Sequence, residues 1–223
     1  MTTESAARPP RRTQAERTQE MQRRLVHGAI ELLKKKRYVG LRTAEVAELA
    51  GVSKGAQTHH FPSKDMLVLQ ALEEVYRRTQ VHALERIEAA RAKPRQTLAL
   101  LVADSKAFFL GADFLLSLDL VMIDPESPLG QGVKDLARRY RLPVEQAWLD
   151  LLTEAGYPLR TAQEVVRLTY AMARGFGIRQ LITQPERADD RLFVTWQKMA
   201  QAMLDATTPK ARSKPPAAKR STR

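Results

Sequence analysis

Across residues 43–64, TAEVAELAGVSKGAQTHHFPSK, a helical apolar spacing is cut by one glycine and resumes almost at once. Ala44, Val46, Ala47 and Ala50 put small and branched apolar side chains at helical intervals, and Gly51 supplies a residue suited to ending a helix in the left-handed conformation. Val52 can plug the angle between two helices. Ser53 is a good N-cap for a second, short helix, which Pro62 obliges to end before it. The pattern predicts a helix-turn-helix, whose first helix braces against the backbone while the N-terminal half of the second enters the major groove of duplex DNA. Lys54, Gly55, Ala56 and Thr58 lead into that groove.

The distribution of charge agrees with this reading. The chain of 223 residues has a net charge of +12, and 43% apolar residues are enough to bury a core. Residues 1–64 hold 13 Lys and Arg against 6 Asp and Glu, residues 207–223 hold 6 against 0, and residues 65–206 hold 18 against 19. The basic balance therefore sits at the candidate DNA-binding end and in the tail, as phosphate binding requires. The neutral middle must do something else.

Helical patterns account for nearly all of the rest. Residues 1–12 are polar, with Pro9-Pro10 and no apolar period, and predict a disordered basic arm. Arg8, Arg11 and Arg12 either reach a minor groove or merely solvate the arm. Thr13 to Glu16 fits a capping box, and Met21, Leu25, Ala29, Leu32 and Leu33 form the stripe of a first helix ending near Lys34 to Arg37. That run of four cations suits either the negative end of a helix dipole or a phosphate contact. Ser63 can cap a long connecting helix carrying Leu69, Leu72, Tyr76, Leu84 and Ile87 down to Pro94. Further helices are expected over 97–110, 112–123, about 129–155, 161–183 and about 189–206, with turns at Asp124 to Pro128 and Gly156 to Pro158. No period-two run is long enough for a strand, so the fold class is all-α. Residues 207–223 predict a disordered basic tail.

The last two helices carry wide apolar stripes: Val165, Leu168, Met172 and Phe176, then Leu192, Trp196, Met199 and Met203, with Phe193, Ala200 and Leu204 in a second row. Either both serve one subunit's core, or one face packs inside and the other meets a second subunit. The helix-turn-helix selects the dimer, because two-fold symmetry gives such a protein affinity and half-site spacing. Val165, Leu168, Met172, Leu192, Trp196, Met199 and Met203 are the expected interface. Gly175 and Gly177 would permit close helix approach.

No catalytic constellation emerges. Gly51 to Gly55 matches G-x-S-x-G, but a helix precedes it where the nucleophile elbow needs a strand. Gly130-Gln131-Gly132 and Gly175-Phe176-Gly177 lack the third glycine of a dinucleotide site. The chain has no cysteine, and His59 and His60 are adjacent, so on a helix they diverge by about 100° and cannot readily share an ion. His27 and His82 fall on helix faces. No enzyme activity, cofactor or metal is expected. With neither a signal core nor a membrane span, the expected location is the cytoplasm.

The segment from Arg24 to Leu67 resembles the tetracycline-repressor (TetR) family of bacterial transcriptional regulators. The resemblance is carried by Glu45-Val46-Ala47, Ala50 to Ser53, Gly55 and His59 to Lys64, together with Ala29 to Leu33, Tyr38 and Gly40. Arg37 stands where the family usually has glycine, Gln57 where it has an apolar residue, and Thr58 where it has tyrosine. The resemblance implies an N-terminal helix-turn-helix domain, residues 13–63, and a ligand-sensing and dimerisation domain, residues 64–206. It further implies a homodimer on double-stranded operator DNA, released by a small-molecule effector of unknown identity. A constitutive DNA-binding dimer is the alternative. Arg42, Thr43, Thr58, His60 and Lys64 are expected at phosphates and Lys54, Gly55 and Ala56 at base edges, with His59 also on the DNA-binding face; Gln57 is either a base reader or a polar substitution near the core. Phe108, Phe109, Phe114, Leu118, Met122, Trp148, Tyr170 and Phe176 either line an apolar effector cavity or form ordinary core.

Overall fold

Thr13 starts the first helix with a reciprocal capping box: its side chain accepts from Glu16 N while the Glu16 carboxylate accepts from Thr13 N at 2.7 Å. Helix α1, Gln14–Gly40, buries Leu25, Val26, Ala29, Ile30 and Leu33. It runs past the expected end at Lys34 to Arg37, with a break at Arg37, whose φ of 61° and ψ of 176° are non-helical. Helix α2, Thr43–Ala50, ends at Gly51 with φ 63°, the left-handed cap. Helix α3, Lys54–His60, starts at Ser53, whose hydroxyl accepts from Ala56 N at 3.2 Å. The helix-turn-helix has the form read from the sequence.

Ser63 caps α4, Lys64–Ala92, which is surrounded: Leu67, Val68, Ala71, Leu72, Val75, Tyr76, Ala83, Ile87 and Ala90 are all buried. Helices α5 (Thr97–Phe109), α6 (Ala112–Val121), α7 (Pro128–Leu136), α8 (Leu142–Glu154), α9 (Leu159–Arg179) and α10 (Arg187–Thr207) come next, close to the expected spans. A π-helical segment, Ala137–Arg141, joins α7 to α8 without a turn, so residues 128–154 form one interrupted rod. Among the described residues there is no strand, and the chain is all-α. The computed structural model describes residues 13–183 and 187–207, with side chains from 189 onward in the second stretch. The expected basic arm, 1–12, and the tail beyond Thr207 lie outside the described residues.

The apolar core runs unbroken from Leu25 in α1 to Leu204 in α10, and α4 packs on both α1 and α5 within it. Close helix approach occurs at one of the two glycines expected to allow it. A Cβ on Gly177 would stand 2.1 Å from Phe109 O and 2.8 Å from the Phe114 ring, whereas one on Gly175 would meet open space.

Helix α1 is clasped to α6 at three points. Lys34 Nζ lies 2.9 Å from Asp113 Oδ1, an ion-pair contact without hydrogen-bond alignment. Arg37 Nη1 donates to Leu115 O at 2.9 Å, and Tyr38 N donates to Asp119 Oδ2 at 2.7 Å. The strained backbone at Arg37 turns both of these last groups towards α6.

Candidate nucleic-acid interface

The turn at Gly51 presents one edge of α2 and α3 to solvent. Arg42, Lys54, Gly55, Thr58 and His59 are exposed there, and Thr43, Ala56 and His60 are partly so. Among the described residues neither Arg42 nor Lys54 has an ion-pair partner, and α3 has no acidic residue in its first turn. The nearest acid on α2, Glu45, is held by Lys36 at 2.7 Å. An edge with free cations, a helix N-terminus and small side chains is suited to a polyanion.

Two expected contacts are placed differently. Gln57 is 3% exposed and its amide donates to Phe61 O at 3.0 Å, so it cannot reach a base edge; it occupies the core-facing position of α3 and closes the end of that helix. Lys64 turns its ammonium inward, donating to Tyr38 O at 2.6 Å and lying 4.1 Å from the Tyr38 ring centre. It staples α4 to the end of α1 rather than standing free for a phosphate.

The structure also adds residues that the sequence reading missed. Gln14, Arg17 and Thr18 at the start of α1 share a groove of about 680 Å³ with Ala56, His59 and His60. The capping box at Thr13 was the available signal, since it fixes where α1 begins. Arg24 Nη2 donates to Gly51 O at 3.2 Å, tying α1 to the turn. Tyr38 donates its hydroxyl to Asp65 at 2.8 Å; burial first and that bond second push its phenol up to about 12.

In the helical body, the aromatic residues expected to surround an effector divide. Phe108, Phe109, Phe114, Trp148 and Tyr170 are buried, and the phenylalanines and Tyr170 interlock edge to face. Leu118 and Phe176 are partly buried, the latter against Phe193. Met122, at the C-terminal cap of α6, is 77% exposed rather than turned into the body. A body cavity beside Phe108, about 160 Å³, is lined by charged as well as apolar groups: Thr79, His82, Arg86, Asp104, Ala107, Asp113 and Arg141 complete its lining.

The expected interface residues divide as well. Leu168, Leu192 and Met199 are exposed, while Met172, Trp196 and Met203 are partly covered. Val165 is fully buried, so it belongs to the subunit's own core, because α9 turns that row towards its neighbours. Trp196 Nε1 donates to Thr169 Oγ1 at 2.8 Å, which fixes α10 on α9. Among the described residues no helix is long and apolar enough to cross a membrane, and no cluster of His, Cys, Asp and Glu could hold a metal ion.

Residues 25–71 match the family described as bacterial regulatory proteins, tetR family. The HTH-type transcriptional regulator CymR of Pseudomonas putida is 37% identical over 186 residues, covering 82% of this chain and 91% of that protein. A TetR-family regulator from Cytophaga hutchinsonii shares the fold with a TM-score of 0.65 at 11% identity, over 86% of this chain and 98% of that one. FadR of Bacillus subtilis, solved with stearoyl-CoA, gives a TM-score of 0.57 at 14% identity, over 82% and 97%. With the helix-turn-helix, its exposed cations and the helical body behind it, this chain belongs to the tetR family of bacterial regulatory proteins and is a DNA-binding transcriptional regulator.

Proposed function

We propose that the regulator works as a homodimeric repressor, occupying operator DNA until a small molecule enters the helical body. The observation that carries the DNA half is the pair of exposed cations, Arg42 and Lys54, flanking the Gly51 turn without acidic partners among the described residues. Arg42, Thr43, Thr58, His59 and His60 then hold phosphates and fix register, while Lys54 approaches base edges with Gly55 and Ala56 beside it. Arg17 adds a phosphate contact from the start of α1.

The dimer half is supported by the apolar face that α9 and α10 leave open, on which Leu168 is 48%, Leu192 49% and Met199 57% exposed. A second copy would cover this face, and the two reading heads would then meet successive major grooves. Residues 64–206 form the sensing and dimerisation unit on this reading, with α4 as the connection to the head.

Release occurs if the effector favours a dimer whose heads are wrongly spaced. The cavity beside Arg141 supports a sensor. The filled aromatic cluster of Phe109, Phe114 and Trp148 favours the second reading, a constitutive dimer without a ligand. Genomic fragments recovered with the purified protein would supply the operator for titration against a scrambled duplex at several salt concentrations. Equal affinity for both duplexes would overturn sequence-specific regulation.

A further inference from the structure

One cavity in the helical body, beside Phe108, has two cations and two carboxylates in its wall, and all but one of these permanent charges are paired among the described residues. Asp104, 4% exposed, accepts from Arg86 Nη1 at 3.2 Å, Trp148 Nε1 at 3.1 Å and Tyr170 Oη at 3.3 Å. Asp113 is balanced by Lys34. Arg141 has no hydrogen bond or ion pair among the described residues; its guanidinium carbon sits 3.6 Å from the centre of the Phe108 ring. Part of the residue reaches solvent, but the guanidinium is deep enough that burial pulls it below the ordinary arginine value, opposed by Tyr170, Asp104 and Tyr76. It stays charged at neutral pH.

A covered cation without a partner is costly, and neither DNA binding nor the dimer face uses this one. Its placement is also unusual. Arg141 ends the π-helical segment between α7 and α8, and such segments recur at functional sites.

We propose that Arg141 anchors the effector, and that the effector is a small organic carboxylate. This rests on the effector-release reading above. Guanidinium donors match two carboxylate oxygens at once, and Arg141 is the lining charge without a partner among the described residues, so it is the group an entering anion meets. Phe108, Ala107 and the methyl of Thr79 would carry its body. A cavity of about 160 Å³ holds the volume of about five waters, which suits a small ring or short chain and excludes a coenzyme thioester. The same cavity includes Asp113, one of the three points that clasp α6 to α1. A second carboxylate beside it repels Asp113 and loosens the hold on the head.

The test uses the full chain with benzoate and hexanoate as probes, and benzamide and hexanamide as uncharged counterparts. Thermal shift and tryptophan fluorescence are read, the latter because Trp148 is bonded to the cavity's Asp104. The expected result is that a carboxylate raises Tm and changes fluorescence, that its amide does neither, and that Arg141→Met weakens carboxylate binding at least ~10-fold. Arg141→Met without probe should melt no lower than the natural chain, since it removes an unpaired charge; a purely structural arginine would give the opposite. If that variant fails to fold, the contrast between carboxylate and amide in the natural chain carries the test alone. Amides acting as strongly as carboxylates, no response to any of the four, or an undiminished response in Arg141→Met would overturn the proposal. A carboxylate that binds through Arg141 without changing operator affinity keeps the site and removes effector release. Release by a neutral molecule, with carboxylates inert, does the reverse.

Discussion

The DNA-binding head and the helical body both keep cations without partners, in opposite surroundings. Arg42 and Lys54 stand in solvent, where an unpaired charge costs little and any polyanion can approach. Arg141 stands under cover, where the same charge is expensive and the space admits only something small. The difference lies in selectivity. An exposed cation gives salt-dependent affinity and leaves discrimination to shape and base edges, whereas an enclosed one discriminates by itself.

Four experiments put this contrast at risk. The greatest loss is expected from Leu168→Glu combined with Met199→Glu, both on the open face of α9 and α10. Sedimentation should show monomers, and operator affinity should fall at least ~100-fold, because the head's exposed cations suffice only when two heads act together. A surviving dimer would remove this face from the account.

Within the head, Lys54→Ala should cost about 1–3 kcal/mol of discrimination between operator and scrambled duplex. Arg42→Ala should instead weaken both alike and make the salt slope shallower by roughly one unit. Identical losses of preference in the two variants would erase the division between phosphate and base contacts.

Lys64→Ala separates a head cation that faces inward from those that face out. Because its ammonium bonds Tyr38 O, denaturant unfolding should report a loss of about 1–2 kcal/mol, which Lys54→Ala should not show. Equal stability in both variants would mean that Lys64 adds nothing as a staple.

A still weaker effect is expected at alkaline pH. Tyr38 has its phenol raised from about 10 to about 12, so between these values the unfolded chain loses the proton first. Its stabilising contribution is full below about pH 10 and falls as pH rises towards about 12. Tyr38→Phe should flatten that part of the stability curve; an unchanged slope would assign it to other groups.

Much of the fold was legible because its signals are local. Thr13, Ser53 and Ser63 cap the helices they were expected to cap, and Gly51 adopts the left-handed conformation its position suggested. The readings that failed or stayed open turned on packing that no local signal reports. Lys64 bonds a carbonyl 26 residues earlier, which no periodicity reveals. Gln57 is polar at a position where the resemblance expects an apolar residue, and position rather than polarity decided its direction. The stripes of α9 and α10 were visible, but which row faces inward depends on their neighbours, so Val165 belongs to the subunit's own core while Leu168 stays exposed. Arg141 lies in the run Arg138-Arg139-Tyr140-Arg141, which reads as a solvated surface. The π-helical segment adds one residue to the turn and so rotates the residues beyond it by roughly 100° against an α-helical reading.

Arg37 bears on how the head responds in time. Its backbone, at φ 61° and ψ 176°, occupies a region that costs a residue with a side chain on the order of 1–3 kcal/mol. The neighbouring bonds to Leu115 and Asp119 hold it there. If effector binding withdraws α6, as the release proposal requires, both bonds go and the backbone relaxes, and neither bond can re-form until the strained conformation is regained. On that proposal the clasp would behave as a detent with two rest positions, and raising the ligand dose would change how long each molecule spends in each position, not how far it moves. Single-molecule fluorescence between α2 and α8 should show two fixed transfer efficiencies with dose-dependent dwell times, and Arg37→Gly, which removes the strain, should merge them into one broad distribution.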